Sequence, residues 1–248
     1  MKPESNQGKG SGPTRREVLL GALSTGLAWS VGQSAVAAVS PTQANASDLS
    51  LNPGQKAILA ELMAGNERYV SGKVRKHDLA HAREGLTIGQ QPNSAVIRCA
   101  DSRVAPELVF DQSLGEIFVC GVAGNIPTPE IMASLEYAIS NLGTGLILIM
   151  GHSSCGAVDA ALKNQNQIDS LPGNLPGLLS QILPSVLDAQ KLPGDKLANS
   201  IAQNAMNAAA RLTKMSTVVE KAVSNGTVGI ASGVYDLSSG RFKVNGPG

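Results

Sequence analysis

The chain has 248 residues, 42% of them apolar, which is enough to bury one α/β core and makes a single domain the simplest organisation. Its formal net charge is +1 and no basic stripe runs along it, which excludes an electrostatically driven nucleic-acid binder. Aromatics make up 3%, and the only tryptophan, Trp29, falls in a segment expected to be removed.

That segment comes first in the chain. Thr14-Arg15-Arg16-Glu17-Val18-Leu19 leads into a mildly apolar run from Val18 to Val31. Small-residue cleavage sites follow at Ala35-Val36-Ala37 and Ala44-Asn45-Ala46. Paired arginines before a short apolar run are the layout of a twin-arginine signal peptide. Residues 1–46 are therefore expected to be leader and linker, and residues 47–248 the folded domain. The expected partner is the twin-arginine export machinery, and the expected location is the periplasm, or a thylakoid lumen if the source has one. Left uncleaved, the leader would instead associate the protein with a membrane. Cleavage removes Lys2, Lys9, Arg15, Arg16, Glu4 and Glu17 and leaves a net charge of −1, so no charge-driven partner follows.

Asn52-Pro53 opens a helix, with Asn as cap and Pro in the first turn, and Ile58, Leu59, Leu62, Met63, Tyr69 and Val70 fall at helical spacing. This helix has no obvious home on a single small sheet. His77 and His81 stand four apart, yet neighbouring charges and the lack of a third ligand make a solvated surface the reading there. Strands are expected at 95–99, 116–120 and 146–150, the first two separated by a helical turn at 106–110. A helix over 130–142, ended by Gly143, leads into the third strand. Residues 163–200 are the least informative. Helical periods return at 178–187 and 201–223, Asn225-Gly226 turns, and strands follow at 228–235 and 241–244. The order β-α-β-α-β predicts an α/β fold with a mostly parallel central sheet flanked by helices.

Two stretches at strand ends carry the chemistry. Cys99-Ala100-Asp101-Ser102-Arg103 follows the first strand, and His152-Ser153-Ser154-Cys155 follows the third. Ligands gather outside the carboxyl ends of the strands of an open α/β sheet. Two thiolates and an imidazole form a zinc site by ligand type, and Cys2His leaves one position open, the catalytic pattern. Arg103 is placed to hold Asp101 in a two-pronged ion pair that keeps the carboxylate off the metal. Without that pair, Asp101 becomes a candidate fourth ligand to zinc. Cys120, the odd cysteine, reads as a buried apolar residue of the second strand.

The C-x-D-S-R and H-x-x-C-G patterns, the latter ending at Gly156, resemble the paired signatures of the β-class carbonic anhydrases. The resemblance extends to Gly65-Asn66-Glu67-Arg68-Tyr69, Gln90-Gln91-Pro92, residues 104–111, Ala123-Gly124-Asn125, Ser134-Leu135-Glu136-Tyr137 and the stretch 229–240. It spans about residues 53–245. It implies one Zn2+ per chain on Cys99, His152 and Cys155, and reversible hydration of carbon dioxide to bicarbonate and a proton by attack of zinc hydroxide. It also implies that Asp101 and Arg103 serve catalysis, that Gln90 contacts substrate, and that Gly156 sits tight behind Cys155. The family further implies an N-terminal helix packed on a partner subunit in a homodimer or larger even-numbered oligomer. Two positions depart from the family pattern: Gly121 stands where arginine is usual, and Arg98 where a small residue is usual. In family members whose Asp moves onto zinc at low pH, a bicarbonate pocket containing tryptophan assists. A chain that loses Trp29 cannot build that pocket, and an open site is expected near neutral pH. The alternatives are a hydrolase of carbonyl sulfide or carbon disulfide on the same zinc scaffold, and a non-catalytic zinc-stabilised assembly protein. A thiol redox protein is disfavoured because the spacing is not C-x-x-C.

Overall fold

A computed structural model of the protein describes residues 50–245, so the expected leader and its arginines lie outside the described residues. Among the described residues, no helix is long and apolar enough to cross a membrane. Five strands form the sheet: β1 (Ser94–Arg98), β2 (Ile117–Gly121), β3 (Leu146–His152), β4 (Gly229–Tyr235) and β5 (Phe242–Val244). They lie side by side in the order β2-β1-β3-β4-β5. The first four are parallel, and β5 joins β4 antiparallel. β3 is buried at every position, as expected of a near-continuous apolar run covered on both faces.

Alternation along the strands sorts the core into two layers. Val96, Leu146, Leu148 and Met150 point to one face, and Ala95, Ile97, Ile147 and Ile149 to the other. The first face is covered by α1 (Pro53–Val70) and the turn α3 (Pro106–Val109). The second is covered by α4 (Pro129–Leu142), α7 (Lys196–Met215) and α8 (Thr217–Ser224). A short helix, α2 (Leu79–Gly85), follows α1, while α5 (Gly156–Lys163) and α6 (Leu175–Ala189) build a third apolar cluster around Cys99 and Cys155.

The expectation that α1 lacks a home on its own sheet does not hold. Leu59 and Leu62 are buried in the cluster with Val96, Leu146, Phe110 and Phe242. Burying two leucines contributes roughly 1.5–3 kcal/mol each. Asn52 and Gln55 form a capping box at the start of the helix, and both side chains donate to the Gly226 carbonyl. Near the other end, a Cβ on Gly65 would overlap the Phe110 carbonyl oxygen, so only glycine lets the helix lie this close to the chain after α3. Asn66, next to it, donates to the carbonyls of Val109 and Gly240 and accepts from the Phe242 amide. The Gly-Asn-x-Arg-aromatic stretch is thus a clamp joining three distant parts of the chain.

The expected helical period over 201–223 is two helices. Ser216 is extended there, and its Oγ accepts from the amides of Val218 and Val219 to start α8. A serine at a cap competes with helix continuation, which the apolar spacing alone cannot show. The uninformative region holds the whole of α6, which begins at Leu175 and carries Pro184 inside it. His77 and His81 do not share a helix. His77 precedes α2, and its Nε2 lies 3.1 Å from Asp111 Oδ1, so His77 is tied to a buried carboxylate and only His81 is exposed.

Candidate metal centre

The strand order reverses at β1. Its neighbours are β2 on one side and β3 on the other, and β1 and β3 open a crevice at their carboxyl ends. β1 ends at Arg98, so Cys99 is the first residue beyond it, whereas β3 runs on to His152. Ser154 then adopts φ +56°, a left-handed turn uncommon outside glycine. That turn brings the chain around so that Cys155, the N-cap residue of α5, faces Cys99. Cys99, His152 and Cys155 are all buried, and their ligand atoms lie within 4.8 Å of one another.

The supporting bonds select how these groups present themselves. His152 Nδ1 is 3.0 Å from the Ser153 carbonyl oxygen, to which it donates, and this leaves Nε2 as the lone-pair nitrogen. Nε2 is buried and has no hydrogen-bond partner. Cys99 Sγ accepts from the Gly124 amide at 3.3 Å, and the Gly124 carbonyl in turn accepts from Asn204 Nδ2 of α7 at 2.8 Å. Cys155 Sγ donates to Cys99 Sγ across 3.9 Å. With one proton between the two sulfurs, the bond from Cys155 chiefly pulls the Cys99 pKa down, and the same contact, with burial, pushes Cys155 up. A second thiolate at this distance requires a cation to neutralise it. An orphaned imidazole nitrogen beside two sulfurs is a donor set that fits zinc and suits neither magnesium nor calcium.

Asp101 and Arg103 stand at the rim. Arg103 Nε donates to Asp101 Oδ1 at 2.9 Å and Nη2 to Oδ2 at 2.7 Å, while the Arg103 amide also reaches Oδ1 at 2.9 Å. The guanidinium chiefly holds the Asp101 carboxyl well below the usual carboxylate range. Asp101 Oδ2 lies 3.9 Å from His152 Nε2, beside the three ligand atoms and committed to arginine.

Other expected residues stand apart from this cluster. Gln90 is exposed between the 3-10 turn Leu86–Ile88 and β1, and its side chain makes no hydrogen bond among the described residues. Gly156 is the first residue of α5, but a Cβ there would meet nothing within 4 Å. The expected tight packing behind Cys155 is absent because this position faces open space. Cys120 is buried in β2, and burial pushes its thiol up to about 11. Sequence reading did not find the roles of Ser153, Gly124 and Asn204. Gly124 sits in a stretch that resembles the family, but Asn204 is 80 residues from its partner and carries no local signal.

A family model described as carbonic anhydrase matches residues 94–242. Carbonic anhydrase 2 of Mycobacterium tuberculosis is 34% identical over 197 residues, which cover 77% of this chain and 92% of that relative. The solved structure of the β-carbonic anhydrase CcaA superposes with a TM-score of 0.58 at 26% identity, covering 76% of this chain and 99% of that one. A tetrameric β-carbonic anhydrase from Sordaria macrospora shares the fold, with a TM-score of 0.59 at 21% identity and coverage of 76% and 96%.

Proposed function

The chain belongs to the β-class carbonic anhydrase family, zinc enzymes that hydrate carbon dioxide, and on that premise we propose how its own residues do so. Cys99, His152 and Cys155 hold one zinc ion per chain, and Asp101, fixed by Arg103, orients the water that attacks carbon. The observation that carries this reading is the buried, unpartnered His152 Nε2 facing two sulfurs. Zinc, when bound, supplies a Lewis acid that lets water lose its proton near neutral pH, a generalisation whose own example is the three-histidine class of carbonic anhydrase.

The protein's part is positional. Ser153 and Gly124 fix the imidazole and one sulfur, so the donors are arranged before the cation arrives. Asp101, ionised and held by two parallel bonds, accepts a hydrogen bond and cannot donate one. Such an acceptor orients a water oxygen with a lone pair toward the substrate carbon. One C–O bond forms, one C=O π bond opens onto oxygen to complete the carboxylate, and the water's proton leaves to buffer. Stopped-flow carbon dioxide hydration, with zinc measured on the same batch, tests the assignment. Turnover should scale with zinc up to one per chain. Cys155→Ser should lose both, and a variant that kept stoichiometric zinc and full rate would overturn the ligand set.

Two further parts of the reading concern the whole chain. The Arg15-Arg16 pair and the apolar run after it support export by the twin-arginine route to the periplasm. Replacing both arginines by lysine should strand active enzyme in the cytoplasm, and unchanged export in cell fractionation would refute the route. The working form is an even-numbered oligomer, a reading supported by the apolar side chains exposed around α2 and by the tetrameric state of the Sordaria macrospora protein.

A further inference from the structure

The two positions at which the sequence departs from the family pattern meet in space. β1 and β2 are in parallel register with Arg98 opposite Gly121. A Cβ built on Gly121 would lie 3.3 Å from Arg98 Cζ and 3.5 Å from both Nε and Nη2. The guanidinium therefore lies against the bare backbone of β2, in space that any side chain at 121 would contest. From there Nη1 donates to the carbonyl oxygen of Cys99 at 2.8 Å. The backbone ladder continues past the strand ends around the same point: the Val122 amide donates to the Arg98 carbonyl and the Ala100 amide to the Val122 carbonyl, each at 3.2 Å. The ladder to Val122 thus holds the peptide groups on both sides of Cys99, and the arginine adds a second hold, on the carbonyl of the one that follows it.

We propose that Arg98 is a positioning residue of the metal centre, its guanidinium seated on Gly121 so as to fix the Cys99 carbonyl and, through it, the direction of the Cys99 sulfur. Arg98 makes no hydrogen bond to either sulfur among the described residues. It acts on the peptide that follows Cys99, where a rotation would swing Sγ away from His152 Nε2 and Cys155 Sγ. A flat guanidinium can rest on a peptide plane and donate in a fixed direction, whereas an ammonium on a flexible stem cannot. Gly121 is then required at its position for lack of a side chain, since its φ imposes no demand for glycine.

The inference rests on the zinc site proposed above, and the test separates the two. Wild type, Arg98→Lys and Gly121→Val are compared as full-length proteins by zinc competition against a chromophoric chelator. The thiolate-to-metal charge-transfer bands of the Co2+ forms and the melting temperatures of the metal-free forms are recorded alongside. Arg98→Lys keeps the charge, and Gly121→Val keeps the arginine but displaces it. Both should weaken zinc binding by about tenfold, the scale of supporting-shell losses, and shift the cobalt bands, with Arg98→Lys leaving the metal-free melting temperature near wild type. Unchanged affinity and bands in both variants would overturn the positioning role. So would affinity that falls only alongside the metal-free melting temperature with the bands unmoved, because that is the signature of plain destabilisation. Wild type that binds no stoichiometric zinc would overturn the site reading itself, and this inference with it.

Discussion

Arg103 holds Asp101 by two parallel side-chain bonds and a third from its own amide, all within a span of three residues. The carboxylate sits 3.9 Å from the imidazole nitrogen that faces the cluster, so whichever group captures Asp101 decides whether the site stays open. Arg103→Ala should free Asp101 to become a zinc ligand. Turnover is then expected to fall by about a hundredfold or more, the cost of a misplaced reacting group, while zinc stays bound. Arg103→Lys should recover little, because a point charge cannot replace a fork. Zinc-edge absorption near pH 7, before and after adding bicarbonate, reads the outcome directly: wild type with Asp101 on the metal in either condition contradicts the open site. At this scale the sequence was highly legible where chemistry demands particular side chains at strand ends. Cys99, His152, Cys155 and the Asp101–Arg103 pair all meet as their spacing suggested. It was silent where the work is done by backbone: the Ser153 carbonyl and the Gly124 amide have no side-chain signature to read.

Elements were legible in proportion to the strength of their periodicity. β1, β2, β3 and β4 are found within two residues of their expected bounds, and the caps of α1 and α4 were readable as Asn52-Pro53 and Gly143. The clamp at Asn66 was not, because its partners lie 43, 174 and 176 residues away and no local pattern announces them. Asn66→Ala should leave the buried Val109 carbonyl and Phe242 amide, and the half-buried Gly240 carbonyl, without partners, at about 1–3 kcal/mol for each buried orphan. Thermal melting of the metal-free protein should show a loss of several kcal/mol, and a change below about 0.5 kcal/mol, the range of neutral surface substitutions, would refute the clamp. A second element-level prediction concerns the β4–β5 turn. Asp236 accepts from Ser238 Oγ and from the amide and Oγ of Ser239, bonds that hold its carboxyl near about 2 against an ordinary 3.8. A folded value below the unfolded one gives stability that is present above the unfolded value and lost as pH falls toward the folded one. The window is therefore roughly pH 4 down to 2, and solvent screening of this half-exposed group keeps the effect small. Asp236→Asn should melt lower than wild type at pH 5 and approach it as pH falls to about 2. Parallel curves across that range would show that the charge on Asp236 contributes nothing.

For the whole molecule, the question is what covers the surface that the fold leaves apolar. α1 was expected to need a partner subunit, yet its leucines are satisfied by the chain's own sheet. Several exposed apolar side chains lie on the segment that follows it. Ile88 is 96% exposed, and Val74 and Leu79 are each 53% exposed. The neighbouring Leu86 lies against Gly115, which brings the exposed Leu114 into the same region. Single exposed aliphatics are ordinary on a monomer, but several along one segment are what the proposed oligomer would cover. Gln90, two residues from Ile88, is exposed on this segment and bonds to nothing among the described residues. In the proposed oligomer this face is the subunit contact, and a second copy brings Gln90 into use. Ile88→Asp puts a charge in the centre of that contact, where an unpaired charge cannot be buried cheaply. The variant should sediment as a monomer and retain zinc, because Ile88 is 96% exposed and contributes no ligand atom. Its turnover should fall together with that of a Gln90→Ala oligomer. An Ile88→Asp protein that sediments like wild type would place the interface elsewhere. A fully active monomer would show that this chain works alone and that Gln90 needs no second copy.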